Sequence, residues 1–150
     1  MRLPILHRLA LPLLLLSLQT AQAEEWAGTV KLASGETHVE RDGQRLALKT
    51  GDRVYPGDRL ITGKEGRIGV TLRDDTLIST SANSQLTIRE FSFNPATHEG
   101  GLAVSVLRGV AAMVSGLVAK ANPQAMRVST PTTTIGIRGT EFIVEVESDD

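Results

Sequence analysis

Short runs of alternating apolar and polar residues, broken by turn residues at close intervals, constrain this chain most strongly. Arg67–Leu72 (RIGVTL) and Glu141–Val146 (EFIVEV) each place apolar side chains on one face, as a half-buried strand requires. Turn pairs containing Gly, Asp or Asn separate such runs, mostly every 6–12 residues. From Glu24 to Asp150, Val, Ile and Thr make up 33 of 127 residues, and these side chains favour strands. We therefore predict an all-β fold, a solenoid-like or jelly-roll-like stack of short strands.

One segment departs from the strand pattern. Residues 115–122 (SGLVAKAN) begin with Ser115, a residue type that caps helix N-termini, and stop before Pro123. We predict one short helical turn here, between two strands.

The first 23 residues have the pattern of a secretory signal peptide. Residues 1–8 carry two Arg and no acid, an apolar run follows at residues 9–18, and Ala21-Gln22-Ala23 forms a cleavage site. The alternative is a membrane anchor, but ten apolar residues fall short of the ~20 that span a bilayer. We predict a cleaved N-terminal signal helix over residues 1–23. We also predict a periplasmic location and a mature chain that does not span the membrane.

Composition limits the chemistry of the whole chain. A formal net charge of −1 gives no basic surface for nucleic acid. The absence of Cys excludes disulfides, thiol nucleophiles and Cys-based zinc sites, and three His residues are few for a metal centre. His38 and His98 have no nucleophile that can be named beside them, and the sequence has no Gly-x-Ser-x-Gly elbow. We expect no cofactor, no metal and no enzymatic activity.

Two stretches resemble the FecR domain family of bacterial envelope proteins. Residues 51–77 (GDRVYPGDRLITGKEGRIGVTLRDDTL) resemble its succession of a Gly-Asp turn, a Thr-Gly turn, an alternating strand and an acidic turn. Residues 127–144 (RVSTPTTTIGIRGTEFIV) resemble its Thr-Pro, Gly-x-Arg-Gly-Thr and Phe sequence. The turn motif comprises Gly51, Asp52, Gly57, Asp58 and Asp74. The second motif, a possible partner contact, comprises Pro131, Gly136, Arg138, Gly139, Thr140 and Phe142.

The resemblance implies a single exported all-β domain over residues 24–150. The family occurs in cell-surface signalling regulators, which receive a signal from an outer-membrane receptor and pass it across the inner membrane to a sigma factor. This sequence has neither a sigma-binding region nor a transmembrane helix, so it resembles the free-standing periplasmic type. The expected function is a protein-interaction module in envelope signalling or assembly, with an envelope protein as its partner.

Arg138 allows two interpretations. Its guanidinium could bind a carboxylate of a partner bidentately. Alternatively, it could pair with an internal acid, for which Asp52, Asp58 and Asp74 are candidates. If Arg138 is buried and paired, the change Arg138→Ala should cost roughly 3–5 kcal/mol of stability.

Two further features leave alternatives open. Trp26, Tyr55, Phe91 and Phe93 could stack on sugars, which would make the protein a glycan- or peptidoglycan-binding module, although core packing is the simpler use. The tail at residues 145–150 (EVESDD) carries four acids. These charges could protect a terminal strand from aggregation, or the strand could offer a free edge to a basic partner strand.

Overall fold

The structure, a computed structural model, describes residues 25–147, and the predicted signal peptide lies outside the described residues. This part of the chain forms twelve strands, one short α-helix and one 3-10 turn. The strands are β1 Gly28–Ser34, β2 Thr37–Arg41, β3 Gln44–Ala47, β4 Arg53–Val54, β5 Arg59–Thr62, β6 Arg67–Leu72, β7 Leu77–Thr80, β8 Gln85–Phe93, β9 Gly100–Val114, β10 Met126–Ser129, β11 Thr134–Gly136 and β12 Glu141–Val146. The helix α1 spans Leu117–Ala121, and the 3-10 turn spans Pro123–Ala125. The predicted all-β class is confirmed.

The long strand β9 belongs to both halves of one curled sheet. Its first part pairs antiparallel with β8 and parallel with β10. Its last part pairs antiparallel with β7 and β12. We call the strands β4–β1–β6–β7–β9–β12 half A and the strands β3–β2–β5–β8–β9–β10–β11 half B. In residues 25–147, β9 and β10 are the one parallel pair, so the sheet is a mostly antiparallel half-barrel.

Gly109 marks the bend between the two parts of β9. Its φ of 79° lies in the left-handed region, which a side chain disfavours. A Cβ at this position would lie 2.7 Å from the Cα of Ser84 on the neighbouring segment and would also meet its hydroxyl. The backbone N–H of Val110 donates to that Ser84 hydroxyl at 3.0 Å. The bend therefore requires a residue without a side chain.

Apolar side chains from both halves fill the concave side of the sheet. The predicted alternation of β6 is confirmed, because Ile68, Val70 and Leu72 are buried. Burial of this apolar surface is the main stabilising term of such a fold. The core comprises Ala27, Val30, Val39, Leu48, Val54, Leu60, Ile68, Val70, Leu72, Ile78, Leu86, Ile88, Leu102, Val104, Val106, Ala111, Met113, Met126, Val128 and Val144.

The predicted helical turn is confirmed as α1, but its predicted cap is wrong. Gly116 is the N-cap and supplies no side chain, whereas the Ser115 hydroxyl donates to the Gly139 carbonyl at 3.0 Å. The buried carboxylate of Asp74 instead accepts from the backbone N–H of Val118 at 3.3 Å. A side chain distant in sequence thus satisfies a donor at the start of the helix. Within residues 25–147, no helix is long and apolar enough to cross a membrane.

Candidate interaction cleft

Among residues 25–147, no strand pairs with one side of β9 at its bend. Strand β10 pairs with β9 as far as Ser105, and the pairing with β12 begins at Gly109. Residues 106–108 therefore lie between the ends of two strands that diverge into different halves of the sheet. A cleft of about 880 Å³ opens there. Its walls are the turn between β10 and β11 on one side and β12 on the other. It is lined by Leu107, Arg108, Thr130, Pro131, Thr132, Thr133, Ile135, Ile143, Val144, Glu145, Val146 and Glu147.

Two exposed isoleucines line this cleft, one on the last strand of each half. Ile135 lies on β11, and Ile143 lies on β12 with 69% of its surface exposed. Edge strands normally carry charges that discourage association with other chains. Exposed aliphatic groups beside a concave surface instead mark a place where another molecule can bury them.

The outer edge of β12 is free of any neighbouring strand within the described residues, and it presents backbone groups as well as side chains. The N–H of Ser115 donates to the carbonyl of Thr140, its opposite residue, at 2.7 Å. In an antiparallel pair, such bonded positions alternate with positions whose N–H and C=O point away from the neighbour. The backbone groups of Glu141, Ile143 and Glu145 therefore point to the open edge. This edge can accept a further strand.

The structure separates the residues of the predicted second motif. Pro131 lines the cleft, and Phe142 packs against the core. Gly139 and Thr140 lie next to α1, where their carbonyls accept from Ser115. Gly136 ends β11 on the surface. The motif thus contributes one residue to the cleft, while most of it shapes the passage from half B to half A.

Arg138 is exposed, and of its two interpretations the internal ion pair is wrong. Within residues 25–147 it forms no ion pair with an acid. Asp52 accepts from the backbone N–H of Lys49 at 2.8 Å. Asp58 and Asp74 are also engaged elsewhere. The side chain of Arg138 is exposed, and its neighbours in the loop are exposed or half-buried. Contact with a partner carboxylate stays a prediction.

We expect Arg138→Ala to leave stability unchanged within about 0.5 kcal/mol, as for most exposed positions. Thermal and urea unfolding of the variant beside the wild type would measure this. A loss above about 2 kcal/mol would contradict the exposed position of Arg138 and restore the structural interpretation.

An ion pair that we did not predict from the sequence joins the partly exposed Arg41 to the buried Asp58. The Asp58 carboxylate is 1% exposed and accepts two bonds from Arg41, at 2.8 and 2.7 Å. It also accepts from the backbone N–H of Tyr55 at 2.8 Å. The hydrogen bonds to Asp58 raise the pKa of the Arg41 guanidinium, and partial burial opposes that rise. Arg41, at the end of β2, therefore holds the predicted turn at Gly57-Asp58 in place.

The predicted turn motif is thus a set of structural turns. Gly51 and Gly57 have φ values of 96° and 93°, which glycine adopts without strain. Asp52 accepts from the backbone of its own turn, Asp58 anchors Arg41, and Asp74 caps α1. None of these residues lines the cleft.

The aromatic side chains are covered by guanidinium groups. Arg53 and Arg73 lie 4.9 and 5.6 Å from the ring of Trp26. Arg73 also lies 5.7 Å from the ring of Phe91, and Arg41 lies 4.5 Å from that of Tyr55. These are cation–π distances.

The histidines lie on separate elements. His38 is on β2, and His98 stacks on Phe93 with the ring centres 6.1 Å apart. In the part of the chain that the structure describes, no group of three or more His, Asp or Glu side chains could hold a metal ion.

The curled sheet and its long bent strand define a small all-β domain. The profile of the FecR protein family matches residues 58–150, and the chain belongs to this family. The matched region contains the whole cleft, and this membership fits an envelope-associated module. A solved structure described as a cell surface anchoring domain shares 26% identity. The similarity covers 41% of this chain and 82% of that one, with a TM-score of 0.40, which supports no conclusion about function. The comparison with curated proteins finds no match.

Proposed function

We propose that the protein is exported to the periplasm and acts there as a non-enzymatic FecR-type module. In this role it binds another envelope protein, through the cleft at the bend of β9, in signalling or assembly. The observation that carries the proposal is the cleft itself, an open concave surface with exposed aliphatic walls and a free strand edge. The predicted signal peptide and the family membership support the location.

The composition of the cleft favours a protein partner. Its walls combine apolar side chains, such as Ile135 and Ile143, with hydroxyl groups of the turn between β10 and β11. This mixture is typical of surfaces that bind a polypeptide, where side-chain contacts and backbone hydrogen bonds act together. The cleft is open to solvent, so it suits an extended polypeptide segment better than a small molecule, which normally binds in an enclosed pocket.

The glycan alternative needs flat rings that are free to stack on sugars. Trp26 and Tyr55 are only partly exposed, and arginine side chains lie over them. Phe93 is covered by His98. The rings lie away from the cleft, and Trp26 and Tyr55 serve as supports for arginine. We therefore favour a protein partner over a sugar.

A photoreactive residue placed in the cleft tests the proposal. We expect a probe at Thr132 to crosslink one envelope protein in living source cells, in a product that separates with the periplasmic or membrane fraction. The same probe at Gln44 is the matched control. Gln44 is exposed and lies on β3, which is the far edge of half B. Equal labelling at both positions, or none at Thr132, would contradict a partner site in the cleft.

A further inference from the structure

We propose that the partner binds by adding an antiparallel strand to the free edge of β12. We also propose that this strand carries the pattern basic–x–apolar–x–basic, with the apolar residue opposite Ile143. The inference rests on the proposed function and names the chemistry of the segment that the site accepts. It follows from three observations on β12, which concern its backbone, its apolar side chain and its charges.

The backbone observation fixes where hydrogen bonds to a partner would form. The outward groups of β12 belong to Glu141, Ile143 and Glu145, because the bond from Ser115 to Thr140 sets the alternation. In an added antiparallel strand, the residue opposite Ile143 would therefore exchange both backbone hydrogen bonds with Ile143. The residues before and after it in the added strand would point their backbone groups to solvent.

The position of the Ile143 side chain favours an apolar residue opposite it in the partner strand. Ile143 lies at the end of a row of directly opposed residues that crosses the outer face of half A. The row runs through Ala112, Ser79, Gly69 and Leu32. The three middle residues are small, so the large side chains at the two ends stand out from the sheet. An added strand would extend this row by one residue, and an apolar side chain there would cover Ile143.

The charges on the same face specify the flanking residues. Glu141 and Glu145 lie two positions on either side of Ile143 and are exposed, and Glu147 follows. Within the described residues none of the three forms an ion pair. Opposite charges directly across a strand pair are favourable, and like charges are unfavourable. The flanking positions of the partner should therefore be Lys or Arg.

The same charges argue against a second copy of this chain as the partner. If two β12 strands paired antiparallel about Ile143, Glu141 of each copy would lie opposite Glu145 of the other. Both contacts would repel. In this register the acidic residues of β12 oppose pairing with a second copy, and they favour a basic strand.

Synthetic peptides test this inference on the purified protein. The probe is a fluorescent nine-residue peptide, Ser-Thr-Lys-Val-Ile-Val-Lys-Thr-Ser, followed by anisotropy at two salt concentrations. We expect saturable binding that salt weakens. The version with both Lys replaced by Glu should bind about tenfold more weakly, since two favourable pairs become repulsive. Equal binding of the two peptides would overturn the inference.

Backbone methylation of the peptide separates strand addition from simple charge attraction. Methylation of the central Ile nitrogen should abolish binding, because that N–H would face β12. Methylation of a neighbouring Val nitrogen, which would face solvent, should leave affinity within about twofold. The reverse order, or equal effects of both, would overturn antiparallel addition.

Protein variants complete the test. Glu145→Lys should weaken the Lys peptide and strengthen the Glu peptide, with an unfolding curve like that of the wild type. A wild-type dimer in ultracentrifugation that Ile143→Lys dissociates would overturn the inference in favour of a second copy. If no peptide binds at millimolar concentration while the Thr132 probe still crosslinks its partner, this inference fails and the proposed function stands. If both experiments fail, the proposed function fails as well.

Discussion

The variant Gly109→Ala is expected to lose about 2–5 kcal/mol of its free energy of unfolding. A side chain in the left-handed region costs about 1–2 kcal/mol, and overpacking adds about 1–3 kcal/mol. Both terms apply here, because φ at Gly109 is 79° and a Cβ would lie 2.7 Å from the Ser84 Cα. Backbone cannot move aside as a flexible side chain can. Urea denaturation monitored by far-ultraviolet circular dichroism would measure the loss.

Gly101→Ala provides the matched control in the same strand. A Cβ there would meet its nearest neighbours at 3.8 and 3.9 Å, which is ordinary contact, and its φ is not positive. We expect a change within about 1 kcal/mol. Similar losses for the two variants would show that the bend at Gly109 imposes no special requirement.

The variant Arg41→Met is expected to lose about 3 kcal/mol, because it leaves the buried Asp58 carboxylate without its cation. Methionine keeps much of the apolar stem, so packing against Tyr55 is partly retained. The hydrogen bond from the Tyr55 backbone to Asp58, at 2.8 Å, would persist and limit the damage. Thermal and urea unfolding at neutral pH would give the difference.

A second ion pair between the same two neighbouring segments supplies the comparison. Arg59 contacts Glu40 at 3.3 Å, and both side chains are exposed. We expect Arg59→Met to change stability by less than about 1 kcal/mol, since solvent screens such pairs. An effect as large as that of Arg41→Met would mean that burial of Asp58 is not the cause.

Local pattern was sufficient to predict some of the strands and the helical turn, but not which strands lie side by side in the sheet. Alternation in β6 and β12 gave both strands with the bounds that the structure has. Leu102, Val104 and Val106 also alternate in the sequence, but this run covers only part of β9, because Gly109 interrupts the pattern where the strand bends. The sequence could not show that β10 would return parallel to the start of β9, since this depends on packing between distant segments.

The cleft depends on the same distant pairings. The gap at residues 106–108 exists because one neighbour of β9 ends at Ser105 and the next begins at Gly109. No local feature of the sequence encodes that interval. One signal was present, however, because Ile143 falls on the acidic face of β12 in the alternation. This apolar side chain among outward-pointing acids is the feature on which the proposed strand addition rests. Arg138 was a candidate because Gly136 and Gly139 flank it in the sequence. In the structure these two glycines belong to the end of β11 and to the loop that follows.

The sharing of β9 by the two halves also has a consequence for how the protein folds. Neither half can complete its sheet until β9, residues 100–114, has formed. Half B also needs β10, which lies further along the chain. Contacts of such long sequence separation slow folding. They also prevent either half from persisting alone, so unfolding should occur in one cooperative step.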